Sequence, residues 1–146
     1  MREVKFRGKD KKTGRWVYGY LLEESDTTYC FMEDYERHPE VDHYYICFDR
    51  MTDWCLPNEH CKVEVDPVTI GEWTGMLDKN DEEVFEGDIV KKRTYSGYKF
   101  FPVSFHNGVF HCGYGGGSST PSHPYTLDDS RIEVVGNMYD NAELLG

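Results

Sequence analysis

Residues 65–90 constrain the fold of this chain more than any other stretch, because turn-forming residues interrupt its apolar residues at short intervals. An aspartate–proline pair near its start predicts a turn, since proline pushes the preceding residue out of the helical region. Gly71 and Gly75 would each destabilise a helix by about 1 kcal/mol relative to alanine. Residues 68–77 are therefore predicted to be extended, with the glycines at bulges or at close approaches between backbones.

The second half of this segment predicts a hairpin turn and a sharp corner. Asparagine and aspartate at residues 80–81 tolerate positive φ, and a two-residue turn there would place Leu77 opposite Val84. Gly87 permits unusual backbone angles, and the Asp88 carboxylate can accept hydrogen bonds from amides left free at the corner. Turn formation is thus a sufficient explanation for several acids of this region.

Three further strands are predicted to follow as an antiparallel meander, before a closing strand. They cover residues 88–95, 98–106 and 109–114, and the closing strand covers residues 131–135. Asn107-Gly108 is the strongest short hairpin signal, and it places Phe105 opposite Phe110. Pro102 lacks an amide hydrogen, so a bulge or a break is predicted there.

The first part of the chain predicts strands joined by polar turns. The predicted strands are residues 4–7, 15–22, 27–32 and 44–48. Residues 23–26 are predicted to form a turn, and residues 33–42 either one turn of helix ending at a proline or a loop. Residues 49–61 are predicted to be irregular.

Short motifs distributed along the whole chain resemble a known family. They are KFRGKD at residues 5–10, WVYG at 16–19, GEWTG at 71–75, EGDIV at 86–90 and VVGNMY at 134–139. Their order and spacing resemble the YopX family, small proteins of phages and prophages in Gram-positive bacteria. The resemblance implies mainly β structure and a phage origin. It transfers no activity, because the family has none established.

Composition limits the function classes that fit this chain. It has 27 acidic and 16 basic residues and a net charge of −11, which argues against non-specific binding to nucleic acid because such a surface repels phosphate backbones. The odd number of cysteines and the lack of a signal peptide indicate reduced thiols in the cytoplasm of a bacterial host. No apolar run is long enough to span a membrane.

Two groups of residues carry candidate chemistry. Five acids could serve as paired catalytic carboxylates: Asp66, Glu72, Asp78, Glu86 and Asp88. Two sets could ligate a metal, namely Cys55, His60 and Cys61, or His106 and His111, although no CxxC pair is present. Because turns explain several acids and the cysteine spacing is unusual, no catalytic residue, metal site or cofactor is assigned.

A basic strand with aromatic neighbours, within residues 91–100, offers a nucleic-acid alternative. Its residues are Lys91, Lys92, Arg93, Tyr95 and Tyr98. Cations beside exposed aromatic rings can track a single nucleic-acid strand by stacking, whereas a solvated strand with core aromatics is the other interpretation. The glycine-rich residues 113–119 are interpreted as a mobile loop, since they lack the lysine and the helix of a phosphate-binding loop.

The combined prediction is a mainly β protein of one compact unit, with antiparallel strands and little helix. A soft boundary near residue 62 separates an N-terminal β lobe, residues 1–62, from a C-terminal lobe, residues 63–146. The C-terminal lobe is predicted to form a small SH3-like or related barrel.

The predicted function is non-catalytic binding of a host or phage protein through an acidic surface that bears aromatic residues. The predicted binding residues are Trp73, Thr74, Glu86 and Asp88. A nucleic-acid-binding module is the alternative, and a carboxylate-dependent enzyme is third. No membrane partner is predicted, and exposed strand edges would permit self-association.

Overall fold

The protein is mainly β, as the sequence predicts. The structure, a computed structural model, describes residues 1–113, 125–127 and 131–146. Contacts between residues divide the chain into two compact units. One is Lys5–Ile70, and the other joins Met1–Val4 to Gly71–Gly146. The division therefore follows Ile70, whereas the sequence predicts a soft boundary near residue 62.

The first unit contains four antiparallel strands and two short helical segments. The strands are β1 (Phe6–Lys9), β2 (Trp16–Ser25), β3 (Asp42–Arg50) and β4 (Glu59–Glu64), and they lie side by side in the order β4-β3-β2-β1. Helix α1 (Met32–Arg37) and a 3₁₀ turn (Pro39–Val41) lie between β2 and β3, and a second 3₁₀ turn (Pro67–Thr69) ends the unit. Ile46 and Val65 are fully buried, so they anchor the core of this unit.

Two predictions for the first unit are wrong, and a third is correct only in part. Strand β2 continues through the predicted turn at residues 23–26, and its last residue, Ser25, pairs with Asp42 of β3. The predicted strand at residues 27–32 does not form, because the Asp26 amide bonds the Val41 carbonyl at 2.8 Å and closes the chain between them into a loop outside the sheet. The β-branched and aromatic residues there favour a strand, but tertiary contacts can override β-propensity.

The prediction that residues 49–61 are irregular holds for residues 51–58 only. Arg50 and Glu59 pair across β3 and β4, so the ordered ladder reaches further into this region than the sequence indicates. The helical alternative for residues 33–42 is correct. Glu33 and Asp34 lie in the first turn of α1, where acids favour the helix dipole, and Pro39 follows its end.

The second unit contains a hairpin and a five-stranded antiparallel sheet. The hairpin strands are β5 (Gly71–Leu77) and β6 (Glu83–Phe85); the others are β7 (Asp88–Thr94), β8 (Gly97–His106), β9 (Val109–Cys112), β10 (Tyr125–Thr126) and β11 (Ile132–Asn137). The sheet order is β10-β9-β8-β7-β11, and a 3₁₀ turn (Ala142–Leu145) ends the chain. Its core cluster is Val84, Val90, Phe101, Val103, Cys112, Leu127 and Ile132. Closure into an SH3-like barrel stays a prediction.

Both central glycines have the roles predicted for them, although the strand is shorter than predicted. Val68 lies in a 3₁₀ turn, because its amide donates to the Asp66 carboxylate at 3.1 Å. A Cβ on Gly71 would lie 2.3 Å from the Glu86 carbonyl oxygen, which marks a close approach between backbones. Gly75 has a φ of +83° and lies where the register of the hairpin shifts, as expected of a bulge.

The predicted pairing of Leu77 with Val84 is wrong. Leu77 lies opposite Glu83 instead. Between Trp73 and Leu77 the bulge adds two residues to β5 relative to β6, and Asp81 in the loop has a φ of +63°. Together these features change the length of the loop and shift the register.

The meander matches the sequence prediction closely, except at its proline. Asn107 and Gly108 both have positive φ, and Phe105 pairs with Phe110. Pro102 continues β8 without a break. Its carbonyl accepts from the Gly113 amide, so its nitrogen also faces β9, just beyond the last residue of that strand. The missing amide hydrogen therefore removes at most one backbone hydrogen bond, at the end of the β8–β9 ladder. Except for Gly113, the glycine-rich residues 113–119 lie outside the described residues.

Candidate functional site

Two of the predicted binding residues, Trp73 and Thr74, lie on β5 and brace the hairpin. The Thr74 hydroxyl donates to the Val84 carbonyl at 2.8 Å, which ties β5 to β6. The Trp73 indole nitrogen donates to the Met76 carbonyl at 3.3 Å, across the bulge. Both side chains are partly buried. Their polar atoms therefore hold the local backbone.

Asp88 also serves the backbone. Its side chain is 2% exposed, and its carboxylate accepts from the Phe85 amide at 2.8 Å. The intervening Gly87 has a φ of +87°, and its amide donates to the Val103 carbonyl. The predicted role of this aspartate, to satisfy an amide at a glycine corner, is confirmed.

Glu86 is the one predicted binding residue with a perturbed carboxyl group. Burial raises its pKa; the backbone amide of Glu72 acts in the opposite direction, and the charge of the Glu72 carboxylate raises it further. Glu72 is itself bound by Arg2, whose guanidinium lies 2.7 Å from its carboxylate. A carboxyl group with a raised pKa beside a second acid is a feature of acid–base sites. Here, however, Arg2 compensates the charge of the second acid, Glu72.

Replacement of Glu86 by glutamine is expected to raise the thermal midpoint at about pH 7.5, because glutamine resembles the protonated acid. A carboxyl whose pKa is higher in the folded state than its unfolded value of about 4.3 is stabilising when protonated, and this contribution is lost as pH rises through the folded pKa. The advantage of Glu86→Gln over wild type should therefore shrink toward about pH 4. Scanning calorimetry at both pH values, with the exposed Glu143→Gln as control, measures it. A lower midpoint for Glu86→Gln at the higher pH would contradict the expectation.

Two other acids of the central segment, Asp66 and Asp78, bind backbone amides. Asp66 caps the 3₁₀ turn as described above, and Asp78, 3% exposed, accepts from the amides of Asn80, Glu82 and Val134 at 2.8 to 2.9 Å. Although burial opposes ionisation, these amides hold the pKa of Asp78 below its ordinary value. Asp66, Asp78 and Asp88 thus stabilise the local backbone.

The basic strand is split between two faces of the sheet. Lys91 and Arg93 share one face, where the Lys91 ammonium lies 4.7 Å from the centre of the Tyr98 ring. Lys92 points to the opposite, core-facing side and is only 9% exposed. Tyr95 is fully exposed. A basic hollow of about 560 Å³ is lined by Lys92, Arg93, Thr94, Tyr95 and Arg131.

Acids also lie close to this basic strand. Glu133 of β11 pairs with Lys91 across the ladder, and its carboxylate binds the Lys79 ammonium at 3.0 Å. Lys79, and to a smaller extent Lys91, hold the pKa of Glu133 below its ordinary value. Part of the positive charge on this face is therefore already compensated.

The residues proposed as metal ligands do not form a centre. Among residues 1–113, 125–127 and 131–146, no group of three or more histidine, cysteine, aspartate or glutamate side chains is arranged to hold a metal. His60 instead binds Asp49 across the β3–β4 ladder, and Cys55 and Cys61 are free thiols, as are the other three cysteines. His106 and His111 lie on the β8–β9 hairpin.

An acid-rich segment between β2 and β3 was not assigned a role by the sequence reasoning. It carries eight acids: Glu23, Glu24, Asp26, Glu33, Asp34, Glu36, Glu40 and Asp42. Arg37 is the one lysine or arginine between Glu23 and Asp42. Six of the acids are exposed, and Asp34 and Asp42 are partly buried. The sequence does show this local density of acidic residues, but the net charge of the whole chain does not reveal where the acids are concentrated.

A pocket of about 510 Å³ lies within this segment, and we call it the acidic pocket. Its acids are Glu23, Glu24 and Asp42 at the adjoining ends of β2 and β3, and its apolar and aromatic residues are Met32, Tyr35 and Tyr44. Phe31 and Met32, at the start of α1, are 71% and 77% exposed. The pocket thus combines negative charge with aromatic and apolar walls.

His43 holds the base of the loop that contains α1. Its two ring nitrogens lie 2.9 Å from the carboxylates of Asp26 and Glu64. Hydrogen bonds to Glu64 first, and then to Asp26, raise the pKa of His43 above its ordinary value. Asp26 stands where the loop leaves the sheet, so the imidazolium joins the base of the loop to β4.

We expect an NMR titration of the His43 ring to give a pKa above about 6.5, the unperturbed value. Asp26→Asn and Glu64→Gln should each lower it, with Glu64→Gln producing the larger change. Because the folded pKa is raised, the stabilisation from this contact is fully present below the unfolded pKa and is lost as pH rises through the folded pKa. A His43 pKa at the unperturbed value, unchanged in both variants, would contradict the proposed contacts of His43 with Asp26 and Glu64.

Comparisons with known proteins identify a family and a fold. The family model described as YopX protein matches residues 5–146. A similar solved structure is the crystal structure of protein EF1440 from Enterococcus faecalis, which is 20% identical, covers 100% of both chains and has a TM-score of 0.52. No curated protein matches the chain. Within the described residues, no helix has the length and apolar character needed to cross a membrane.

Proposed function

Because the chain belongs to the YopX family, we propose that it is a phage or prophage accessory protein that acts by binding a protein partner. The binding surface is the acid-rich segment from Glu23 to Tyr44, and the protein has no catalytic role of its own. The five free thiols fit a reducing compartment such as the bacterial cytoplasm.

The acidic pocket carries this proposal. Aromatic and apolar side chains that stay exposed beside a concavity are typical of the centre of a protein interface. The surrounding carboxylates favour a basic partner, since complementary charge accelerates association and excludes competitors. Both features occur together at α1, where Phe31 and Met32 are exposed beside Glu33.

The absence of a catalytic role is supported by what the central acids bind. Asp66, Asp78 and Asp88 accept hydrogen bonds from backbone amides, and Glu72 is paired with Arg2. A carboxylate that is already engaged in this way is poorly placed to exchange protons with a substrate. The polar groups of Trp73, Thr74 and Asp88 hold the backbone. This favours the acid-rich segment as the binding surface, while a role for Trp73, Thr74, Glu86 and Asp88 in binding stays a prediction.

Affinity capture from a lysate of a Gram-positive host, with matched variants, tests the proposal. Glu33→Gln/Glu36→Gln removes two exposed acids of α1, and Glu82→Gln/Glu143→Gln removes two exposed acids of the second unit. Wild type and the second variant should retain the same basic protein in a salt-sensitive manner, and the first variant should lose it. Failure of wild type to retain any protein that the first variant loses would overturn the proposal.

Nucleic-acid binding is the second candidate, favoured by the stacking of Lys91 on Tyr98. Phe100 on the same face is 40% exposed, so two rings are accessible beside Lys91 and Arg93. Filter binding of single-stranded DNA at two salt concentrations tests it. Salt-dependent affinity that Tyr98→Ala reduces would favour this function.

A further inference from the structure

We propose that the acidic pocket receives an arginine side chain of the protein partner. This inference rests on the proposed function and adds the chemical identity of the group that is recognised.

The β2–β3 register places the relevant residues on one face of the sheet. Glu23 pairs with Tyr44, and Ser25 pairs with Asp42. Since alternate residues of a strand share a face, Glu23, Tyr44 and Asp42 point to the same side. His43 and Glu24 also line the pocket, but they pair on the opposite face of the strands, where His43 binds Asp26 and Glu64. The pocket face therefore carries two acids and a tyrosine.

The carboxylates of Glu23 and Asp42 are available for a ligand. Neither has an ion pair or a side-chain hydrogen bond within the part of the chain that the structure describes. The third acid of the pocket differs, because the Glu24 carboxylate binds the Lys62 ammonium at 2.7 Å. Glu23 and Asp42 thus present uncompensated negative charge beside an aromatic wall, which favours a cationic group.

Helix α1 supplies a wall of fixed orientation. The Tyr35 hydroxyl accepts from the Tyr29 amide at 2.9 Å, and the two rings meet edge to face with their centres 5.1 Å apart. Tyr35 is thereby positioned before any ligand arrives. Because side-chain ordering is part of the cost of binding, a fixed ring strengthens the interaction.

Arginine fits these surroundings better than lysine. A guanidinium is planar, stacks on aromatic rings and can bind two carboxylates through its separate N–H groups, whereas an ammonium is a strongly hydrated point charge. The volume of about 510 Å³ exceeds what the guanidinium alone would fill. Residues flanking the arginine would therefore also enter the pocket, where Met32 offers apolar contact.

NMR with small probes tests this inference on the intact protein. N-acetyl-arginine amide is expected to shift signals of Tyr35, Tyr44 and the Met32 methyl group in a saturable manner. The citrulline analogue has nearly the same shape without the charge, so its dissociation constant should be at least ~10-fold higher. The lysine analogue should fall between them. Equal shifts from arginine and citrulline, or shifts located away from the pocket, would overturn the inference.

A variant pair locates the binding on the two free carboxylates. Glu23→Gln/Asp42→Asn should raise the dissociation constant for N-acetyl-arginine amide about 10-fold or more, while Glu82→Gln/Glu143→Gln leaves it unchanged. The comparison of arginine with citrulline uses unaltered protein, so it remains decisive if the first variant folds poorly. Loss of partner capture by Glu33→Gln/Glu36→Gln together with no response to the arginine probe would defeat this inference and leave the proposed function intact.

Discussion

Replacement of Asp78 by alanine is expected to lower the free energy of unfolding by about 3 kcal/mol, a large effect for one substitution. The carboxylate accepts from the amides of Asn80, Glu82 and Val134, and it is 3% exposed. Alanine would leave all three donors without this acceptor in a site with little access to water, and hydrogen bonds to a charged acceptor are among the strongest in proteins. Urea denaturation monitored by tryptophan fluorescence measures the loss.

The pH dependence of Asp78 provides a second test of the same contact. Its folded pKa lies below the ordinary value, so its stabilisation is present above the unfolded value of about 3.9 and is lost as pH falls through the folded pKa. The difference between wild type and Asp78→Ala should therefore shrink in acid. The exposed Glu82→Ala is the control, with an expected change within about 0.5 kcal/mol. An Asp78→Ala protein as stable as this control at neutral pH would contradict the assigned role.

Replacement of Gly71 by alanine is expected to be similarly damaging, for a steric reason. The added Cβ would stand 2.3 Å from the Glu86 carbonyl oxygen, a backbone atom that cannot turn aside. The Glu86 amide also donates to the Glu72 carbonyl at 2.9 Å, so separating the two segments would break that bond. We expect a loss of about 3 kcal/mol and a lower midpoint in the same denaturation experiment.

Gly75→Ala provides the comparison for this substitution. Gly75 has a φ of +83° and open space around its Cβ position, so alanine there incurs only the backbone strain of about 1–2 kcal/mol. Gly71→Ala should therefore be the more destabilising of the two. The reverse order would indicate that β5 and the backbone at Glu86 are less closely packed than their distance implies.

The sequence predicted the corners of the fold better than its registers. Gly71, Gly75 and Gly87 were recognisable because only particular backbone geometries require glycine, and Asn107-Gly108 defined a hairpin on local chemistry alone. The pairing of Leu77 could not be predicted with the same success. A bulge shifts every pair beyond it, and its position depends on contacts that the local sequence does not reveal.

The candidate site was harder to predict because it depends on a loop that is closed by distant residues. Residues 27–32 have the β-branched and aromatic composition of a strand, but the bond from Asp26 to Val41 and the bridge from His43 to Glu64 hold the chain outside the sheet. Helix α1 then lies beside the ends of β2 and β3. The concavity arises from this arrangement, whereas the sequence contains only the charge density and the tyrosines.

The roles of the acids were partly predictable. Asp66 and Asp88 stand beside proline and glycine, where a turn or corner needs an acceptor, and both accept an amide as expected. The sequence could not distinguish them from Glu23 and Asp42, which have the same chemistry and no partner within the described residues. Only the spatial arrangement separates acids that stabilise the backbone from acids that are available to a ligand.

Hydrogen–deuterium exchange of the protein, alone and with the partner captured by wild type, tests the central claim most directly. Backbone amides of residues 23–44 should become protected on binding, while residues 71–88 and 91–100 should exchange at unchanged rates. Protection concentrated in residues 71–88 would contradict the assignment of their acids to the scaffold, and protection concentrated in residues 91–100 would move the binding surface to the basic strand.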